Sequence, residues 1–513
     1  MIVTERRWFE RLEMRVLFVY PEYPDTFWSF KHVLKFISKK AAFPPLGLLT
    51  VAAMLPKEWE KRLIDMNVSP LRDRDLKWAD CVFLGAMITQ IESAKEVIAR
   101  CNRLGVRVVA GGPLFTTGYE DFEGVDHFVL GEAEATLPQF LADFQKGCAK
   151  RVYISDERPD ITHTPVPLWE LIKVSQYVSM PLQYSRGCPF DCEFCDIIIM
   201  NGRVPRVKTA TQVIRELKAI YRTGFRGSVF IVDDNFIGNK TKVKKELLPK
   251  ITRWQKKTKY PFNFLTEASL NLSDDEELMR AMVEAGFSKV FVGLETPIEE
   301  SLAECNKFQN RNRDMAAAVK KIQNHGLQVL GGFIVGFDSD PPSIFESQIN
   351  FIQKSGVVTA MVGVLTALPK TKLYNRLKSE GRLVKMSSGN NTDGTLNFVP
   401  KMDRQVLVDG YHRILQTIYS PKVYYERIMT FLQEYKPPKR KRRMLRFNEI
   451  KGFIQSLWYL GVVEKSRLYY WRLMTKVALK HRRAFTEAAT LAVYGLHYRK
   501  ITEKLREQRK ASS

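Results

Sequence analysis

A chain of 513 residues exceeds the ~250 to 300 residues at which one hydrophobic core stops growing, so two or three domains are expected, and 45% hydrophobic residues exclude a disordered chain. Seven cysteines over this length exclude the dense framework of a secreted disulfide domain. No signal segment opens the sequence and no apolar run reaches the ~18 residues of a membrane-spanning helix, so a cytoplasmic protein is expected, with a peripheral contact at the inner face of the membrane left open.

The formal charge of +24 is uneven: Lys436–Ser513 holds 21 Lys and Arg against 5 Glu, a net +16. The basic excess therefore belongs mostly to the tail.

In chain order, "MRVLFVYP" from Met14 is a short apolar run ended by proline, which predicts a buried strand. "RLIDMN", "CVFLGAM", "RVVAGGP" and "HFVLGE" follow the same grammar, separated by helix-length segments such as "QIESAKEVIARCNRLG". That alternation predicts a doubly wound parallel sheet, a Rossmann-like domain over 14–150.

Residues 156–167, "DERPDITHTPVP", show no apolar period and read as a linker. Over 168–370 a second series begins: "PLQYSRG", "SVFIVDDN", "FNFLTEAS", "KVFVGLET", "LQVLGGFIVGF" and "TAMVGVLTALP". Six strands alternating with helices predict a partial βα barrel of the TIM type. A basic, mostly helical extension is expected over 371–513. There the run "KPPKRKRR" leads into Ile450, Phe453, Ile454, Leu457 and Trp458 at the spacing of an amphipathic helix.

Cys188, Cys192 and Cys195 fall in "CPFDCEFC", just after the first strand of the second series, at the strand end where βα proteins place their chemistry. Thiolates favour zinc or iron–sulfur clusters, and the plain alternative is three packed thiols. A structural zinc site normally has four protein ligands, and no second CxxC pair or HxxxH stands nearby. Three cysteines suit a [4Fe–4S] cluster, whose fourth iron they leave open to a small molecule.

CxxxCxxC with an aromatic, Phe194, before the last cysteine resembles the signature of the radical S-adenosylmethionine superfamily. The resemblance implies that the open iron takes the amino and carboxylate groups of S-adenosylmethionine, whose one-electron cleavage yields a 5′-deoxyadenosyl radical. It also implies an external electron donor such as a ferredoxin or flavodoxin.

By the same resemblance Asp233, Asp234 and Asn235 in "VDDNF" stand where the family has a glycine-rich site for the cosubstrate's amino group, departing from its usual Gly-Gly-Glu. Glu267 and Glu295, ending the third and fourth strands, could hold ribose hydroxyls or the methionine amine. Gly332 and Gly336 in "GGFIVGF" resemble the strand under the adenine. Each acid has an ordinary alternative as a cap or ion-pair partner.

The first domain, with "FPPLGLLTVAAML", "GGPLFTT" and "VDHFVLGEAEATLPQFL", resembles the cobalamin-binding domain that precedes many of these barrels. The likeness implies cobalamin contacts at Gly111, Gly112, Gly131 and Glu132. The DxHxxG motif is absent, and His32 in "SFKHVLKF" reads as a surface or packing residue, so cobalt without a histidine ligand from this chain is expected.

The stretches "VDDNFIGNK", "TEASLNLSDDEELM" and "GGFIVGFDSDPPSIF" resemble the subgroup that contains hopanoid methylases. That implies methylation of an unactivated carbon of a hydrophobic, isoprenoid-type substrate. Radical cyclisation or carbon–carbon coupling with the same cofactors is the first alternative. An RNA-modifying enzyme is the second; it is disfavoured because Cys81 and Cys101 are spaced unlike a second cluster site. Cys148 and Cys305 stand alone in the sequence and are expected to have no catalytic role.

Overall fold

The computed structural model describes residues 13–438 and 447–512. Six strands, β1 (Arg15–Tyr20), β2 (Glu60–Asp65), β3 (Cys81–Gly85), β4 (Arg107–Gly111), β5 (His127–Val129) and β6 (Val152–Tyr153), form one parallel sheet in the order β2-β1-β3-β4-β5-β6.

Successive side chains of β1 go to opposite faces, and both faces are apolar. Leu17 and Val19 pack with Val97 and Ile98 of the helix Ile91–Leu104. Val16 and Phe18 pack with Leu48 of the helix Leu46–Met54 and with Phe140 and Phe144 of the helix Ala133–Gln145. The sheet is thus doubly wound, as expected. It continues past residue 150 into β6, two residues too short for any periodicity to show.

The segment 156–167 is packed down as well as connecting: Gln212 Nε2 donates to the carbonyls of Ile161 and Thr164 at 3.1 and 3.0 Å.

Eight further strands follow: β7 (Ser179–Leu182), β8 (Ser185–Arg186), β9 (Arg206–Val207), β10 (Gly227–Ile231), β11 (Phe262–Glu267), β12 (Phe287–Glu295), β13 (Gln328–Val335) and β14 (Thr359–Val364). β7 and β10 to β14 make a second parallel sheet in the order β14-β13-β12-β11-β10-β7, a partial barrel without a β7–β14 pairing. The stretch "PLQYSRG", expected as one strand, is divided. Ser185 and Arg186 leave the barrel to pair antiparallel with Val207 and Arg206, because the Asp233 carboxylate takes the Tyr184 N–H that would otherwise continue the ladder.

The C-terminal region is helical, with helices Arg404–Ile418, Pro421–Glu434, Phe447–Trp458, Arg467–Lys480 and Phe485–Ser512. It is part of the main core. Tyr419 Oη donates to the Ala360 carbonyl of β14 at 2.5 Å, and the Tyr498 ring stacks on Phe27 at 4.4 Å. Arg427, fully buried, donates to Gln353 Oε1 at 2.6 Å, and its guanidinium carbon lies 5.3 Å from the centroid of the Tyr424 ring. These contacts offset only part of the penalty of burying that charge, since Nε has no hydrogen-bond partner among the described residues. The basic run Lys439–Arg443 lies outside the described residues. Among the described residues no helix is long and apolar enough to cross a membrane.

Candidate active site

The three cysteines sit on a loop whose shape is set at both ends. Gly187 has φ +100°, and a Cβ there would come within 2.9 Å of the carbonyl oxygens of Gly202 and Val204, so only glycine fits. Asp234, just past β10, accepts from the Gly187 N–H at 2.8 Å and from Asn201 Nδ2 at 2.9 Å. Asp233 accepts from the Tyr184 N–H at 2.7 Å and the Ser185 hydroxyl at 2.6 Å.

Further on, Glu193 receives Arg376 Nε at 2.7 Å, and the Phe194 ring lies 6.2 Å from Phe337. The loop is therefore tied to β10 on one side and to the segment after β13 on the other. Cys192 is buried, whereas Cys188 and Cys195 are half-buried. Burial pushes the Cys188 and Cys195 thiols up, so a cationic partner is needed to hold them as thiolates. Three soft donors on one anchored loop fit an iron–sulfur cluster.

Cys305, isolated in sequence, lies against this loop: its carbonyl accepts the Glu193 N–H at 3.0 Å. Next to it stands Lys307, whose ammonium is 2.6 Å from Glu295 Oε1. Burial lowers the Lys307 pKa, but Glu295 and the neighbouring Cys192 outweigh it and keep the amine charged.

A cavity of about 2160 Å³ joins the two sheets at their carboxyl ends and runs through the barrel to the amino ends of its strands, where Gly227, Asn263, Ser288 and Gln328 line it. On the barrel side Cys195, Asp233, Asp234 and Glu267 are on its wall. Burial, then the charges of Asp234 and Asp233, push the Glu267 carboxyl up to about 8. Among the described residues no side chain donates to it, and a carboxylate left without a donor at a cavity wall suits the hydroxyls of a nucleoside.

On the other side the wall is a ledge of strand-end glycines: Gly85 ends β3, Gly111 ends β4 with Gly112 just past it, and Gly131 follows β5. A Cβ on Gly111 would lie 2.7 Å from the Val129 carbonyl oxygen, and Gly112 has φ +90°. Bare backbone over three adjacent strand ends is a flat bed for a macrocycle at the position where open α/β sheets bind ligands.

The cavity does not gather every expected residue. Cys188, Cys192, Asn235, Glu295, Gly332 and Gly336 are off its wall. Asn235 bridges to Ser269, Glu295 pairs with Lys307, Gly332 makes room for the Phe291 ring and Gly336 for Leu407. His32 is also off the wall, its ring 5.5 Å from that of His497 on the last helix.

Glu132 reaches the wall, but both its oxygens are taken. Arg186 Nη1 lies 2.7 Å from Oε2 and Arg206 Nη2 lies 2.6 Å from Oε1, while Arg186 also grips Glu134 at 2.8 Å. This cluster clamps the N-terminal sheet to the strand pair that carries the cysteine loop. Arg186, Arg206 and Lys307 could not be picked out in the sequence, where a charged residue that will be buried looks like any other.

The fold and the loop define a radical S-adenosylmethionine barrel behind a cobalamin-binding domain. The comparisons agree: residues 37–141 match the B12 binding domain, 182–377 the radical SAM superfamily and 371–511 a domain of unknown function. The chain is 35% identical to the hopanoid C-2 methylase of Rhodopseudomonas palustris over 89% of this chain and 88% of that protein. It is 39% identical to an uncharacterized methyltransferase of Synechocystis sp. over 96% of this chain and 93% of that protein.

Among solved structures, the cobalamin-dependent S-adenosylmethionine radical enzyme OxsB superposes with a TM-score of 0.61 at 16% identity over 98% of this chain and 81% of that one. The radical S-adenosylmethionine methyltransferase TsrM of Kitasatospora setae also gives 0.61, at 13% identity over 97% of this chain and all of that one. The chain belongs to the cobalamin-dependent radical S-adenosylmethionine family, among its methyltransferases, and its cofactors are a [4Fe–4S] cluster, S-adenosylmethionine and cobalamin.

Proposed function

We infer that this methyltransferase acts on an unactivated carbon of a hydrophobic lipid of the isoprenoid, hopanoid-like kind. The observation that carries the reading is the cavity. Cobalamin and S-adenosylmethionine share its volume of about 2160 Å³, so what speaks for a lipid is its apolar depth beyond them. It continues from the glycine ledge and the cysteine loop into the barrel between Phe230, Leu265, Phe291 and Leu330. Kinship with a hopanoid C-2 methylase supports the same substrate class.

In this reading Cys188, Cys192 and Cys195 hold the cluster, and Asp233 and Asp234 fix the loop. Glu267 takes the ribose hydroxyls of S-adenosylmethionine, and Gly111, Gly112 and Gly131 bed the corrin. Bound together, these cofactors supply hydrogen abstraction and a methyl donor, with electrons from a ferredoxin- or flavodoxin-type partner. The apolar barrel wall excludes water from a carbon radical and orients a substrate that offers few polar handles.

The test is anaerobic reconstitution with iron, sulfide and cobalamin, then incubation with S-adenosylmethionine, a reductant and a hopanoid-containing lipid extract. A lipid heavier by one methylene, appearing with 5′-deoxyadenosine and S-adenosylhomocysteine, is the expected result. Deoxyadenosine without homocysteine and without mass gain would favour ring closure or coupling and overturn methyl transfer.

A further inference from the structure

The helices Phe447–Trp458 and Arg467–Lys480 carry an apolar surface that, among the described residues, nothing covers. On the first, Ile450, Ile454 and Trp458 recur every four residues and point outward, Trp458 at 65% exposure. Phe453 and Leu457, from the same expected stripe, pack inward on the main core. On the second helix Leu468, Trp471 and Leu479 are exposed along one side, Leu468 at 78%. Val462 and Val463, exposed in the connecting turn, join the two stripes.

Basic residues flank this surface. Arg472, Lys476 and Lys480 run beside Leu468 at helical spacing, with Lys465 and Arg467 at the turn, all of them exposed. Among the described residues none of these five is in a salt bridge. The one acidic residue of the turn, Glu464, is directed to Arg499 at 4.0 Å. Apolar tips ringed by unpaired cations match the two layers of an anionic bilayer surface, with acyl chains below and phosphates above. A second copy of this chain would set the same cations against each other, and aliphatic tips such as Ile454 and Leu479 offer nothing to a polynucleotide.

We propose that this surface docks the enzyme on anionic membranes and that the lipid substrate enters the cavity beside it. Gly452, Phe453 and Ser456, on the inner side of the first helix, line the cavity, as do the exposed Arg483 and Thr486 just past the second. The docking surface stands on its own residues. Only the statement that substrate enters there rests on the lipid-methylase reading above.

The test is flotation of the reconstituted full-length enzyme with vesicles of phosphatidylglycerol and phosphatidylcholine, against phosphatidylcholine alone. Wild type floats with the anionic vesicles. Ile454→Ser with Leu468→Ser weakens partitioning about a hundredfold or more, the size expected for two apolar side chains withdrawn from the interface. Arg472→Glu with Lys476→Glu removes the preference for anionic vesicles.

Brominated lipids quench the wild-type tryptophan fluorescence, and Trp458→Phe reduces that quenching. Both double variants keep wild-type turnover on detergent-dispersed substrate, which shows that they fold, but lose turnover when the substrate is presented in vesicles. The proposal is overturned if wild type fails to float or if the variants float unchanged. It is equally overturned if the substitutions abolish self-association or RNA retention instead. Vesicle binding that responds to the variants, in an enzyme that methylates no lipid, would retain the docking surface and sink the substrate reading alone.

Discussion

The Asp234 carboxylate accepts a 2.8 Å hydrogen bond from the Gly187 N–H, the peptide immediately before the first cysteine of the loop. A residue at the end of β10 thereby fixes where Cys188 starts. Asp234→Ala leaves that N–H without its acceptor, a loss of about 1 to 3 kcal/mol for a buried donor. We expect lowered iron and sulfide content after reconstitution and a reduced melting temperature for the cluster-free protein. Gly187→Ala should be more severe, since the new methyl meets two carbonyl oxygens at 2.9 Å in a backbone conformation unfavourable to alanine. Cys305→Ala, which removes only a buried thiol, should leave the iron content unchanged.

The clamp between the domains makes stability depend on acid. Burial raises the Glu134 carboxyl, but the hydrogen bond and charge of Arg186 and the hydroxyl of Thr164 outweigh it and hold the pKa at about 2. The folded value lies below the ordinary 4.5, so the stabilisation is complete above about pH 4.5 and is lost as the pH falls towards 2. It amounts to about 3 kcal/mol at neutral pH. Melting temperatures measured across that window should fall less steeply for Glu134→Gln than for wild type. Arg186→Met, which strands Glu134 in a site only 11% exposed, should cost about 3 to 5 kcal/mol at neutral pH.

Much of this architecture was legible in the chain, and particular residues show why some was not. Strands such as β1 and β4 announce themselves because both faces are buried and the run ends at proline or glycine. β6, two residues long, has no room for a pattern. The cysteine spacing singles out the loop after β7 as the expected cluster loop, and the acids expected at the end of the second strand do stand just past β10. Their observed bonding to Gly187 and Ser185 joins residues nearly 50 positions apart, which no local pattern records. The stripe from Ile450 to Trp458 had the right period. Periodicity measures apolarity and not what covers it, so it could not separate Phe453, which packs inward, from Ile454, which does not.

Glu267, to which the proposed function gives the ribose hydroxyls, is maintained at a cost to stability. Its pKa of about 8 lies above the ordinary 4.5, so the folded state favours the protonated form. The penalty is absent below about pH 4.5, grows as the pH rises and is complete above about 8. Glu267→Gln should therefore raise the melting temperature of the cofactor-free chain at pH 9 and leave it unchanged at pH 4. Its affinity for S-adenosylmethionine, read by equilibrium dialysis on the cluster-loaded protein at pH 9, where the carboxyl is ionised, should fall about tenfold or more, as expected when a charged acceptor of hydroxyl hydrogen bonds is neutralised. An unchanged affinity would remove Glu267 from the cosubstrate site.

Gly112 tests the proposed corrin bed separately from the cluster. At φ +90° an alanine is strained, and its Cβ would lie 3.3 Å from the Ala86 carbonyl oxygen while projecting from a ledge that is otherwise bare backbone. Gly112→Ala, at φ +90° and ψ −177°, should cost about 1 to 3 kcal/mol in stability from the backbone alone. Gly112→Val adds two methyl groups at a surface where a macrocycle must lie flat. We expect cobalamin retained after gel filtration, measured by its visible absorbance, to fall for alanine and to disappear for valine. Iron content should stay at the wild-type level in both, because the cysteine loop is anchored to β10 and not to β4. Loss of iron in step with cobalamin would mean that the two sites fold as one unit.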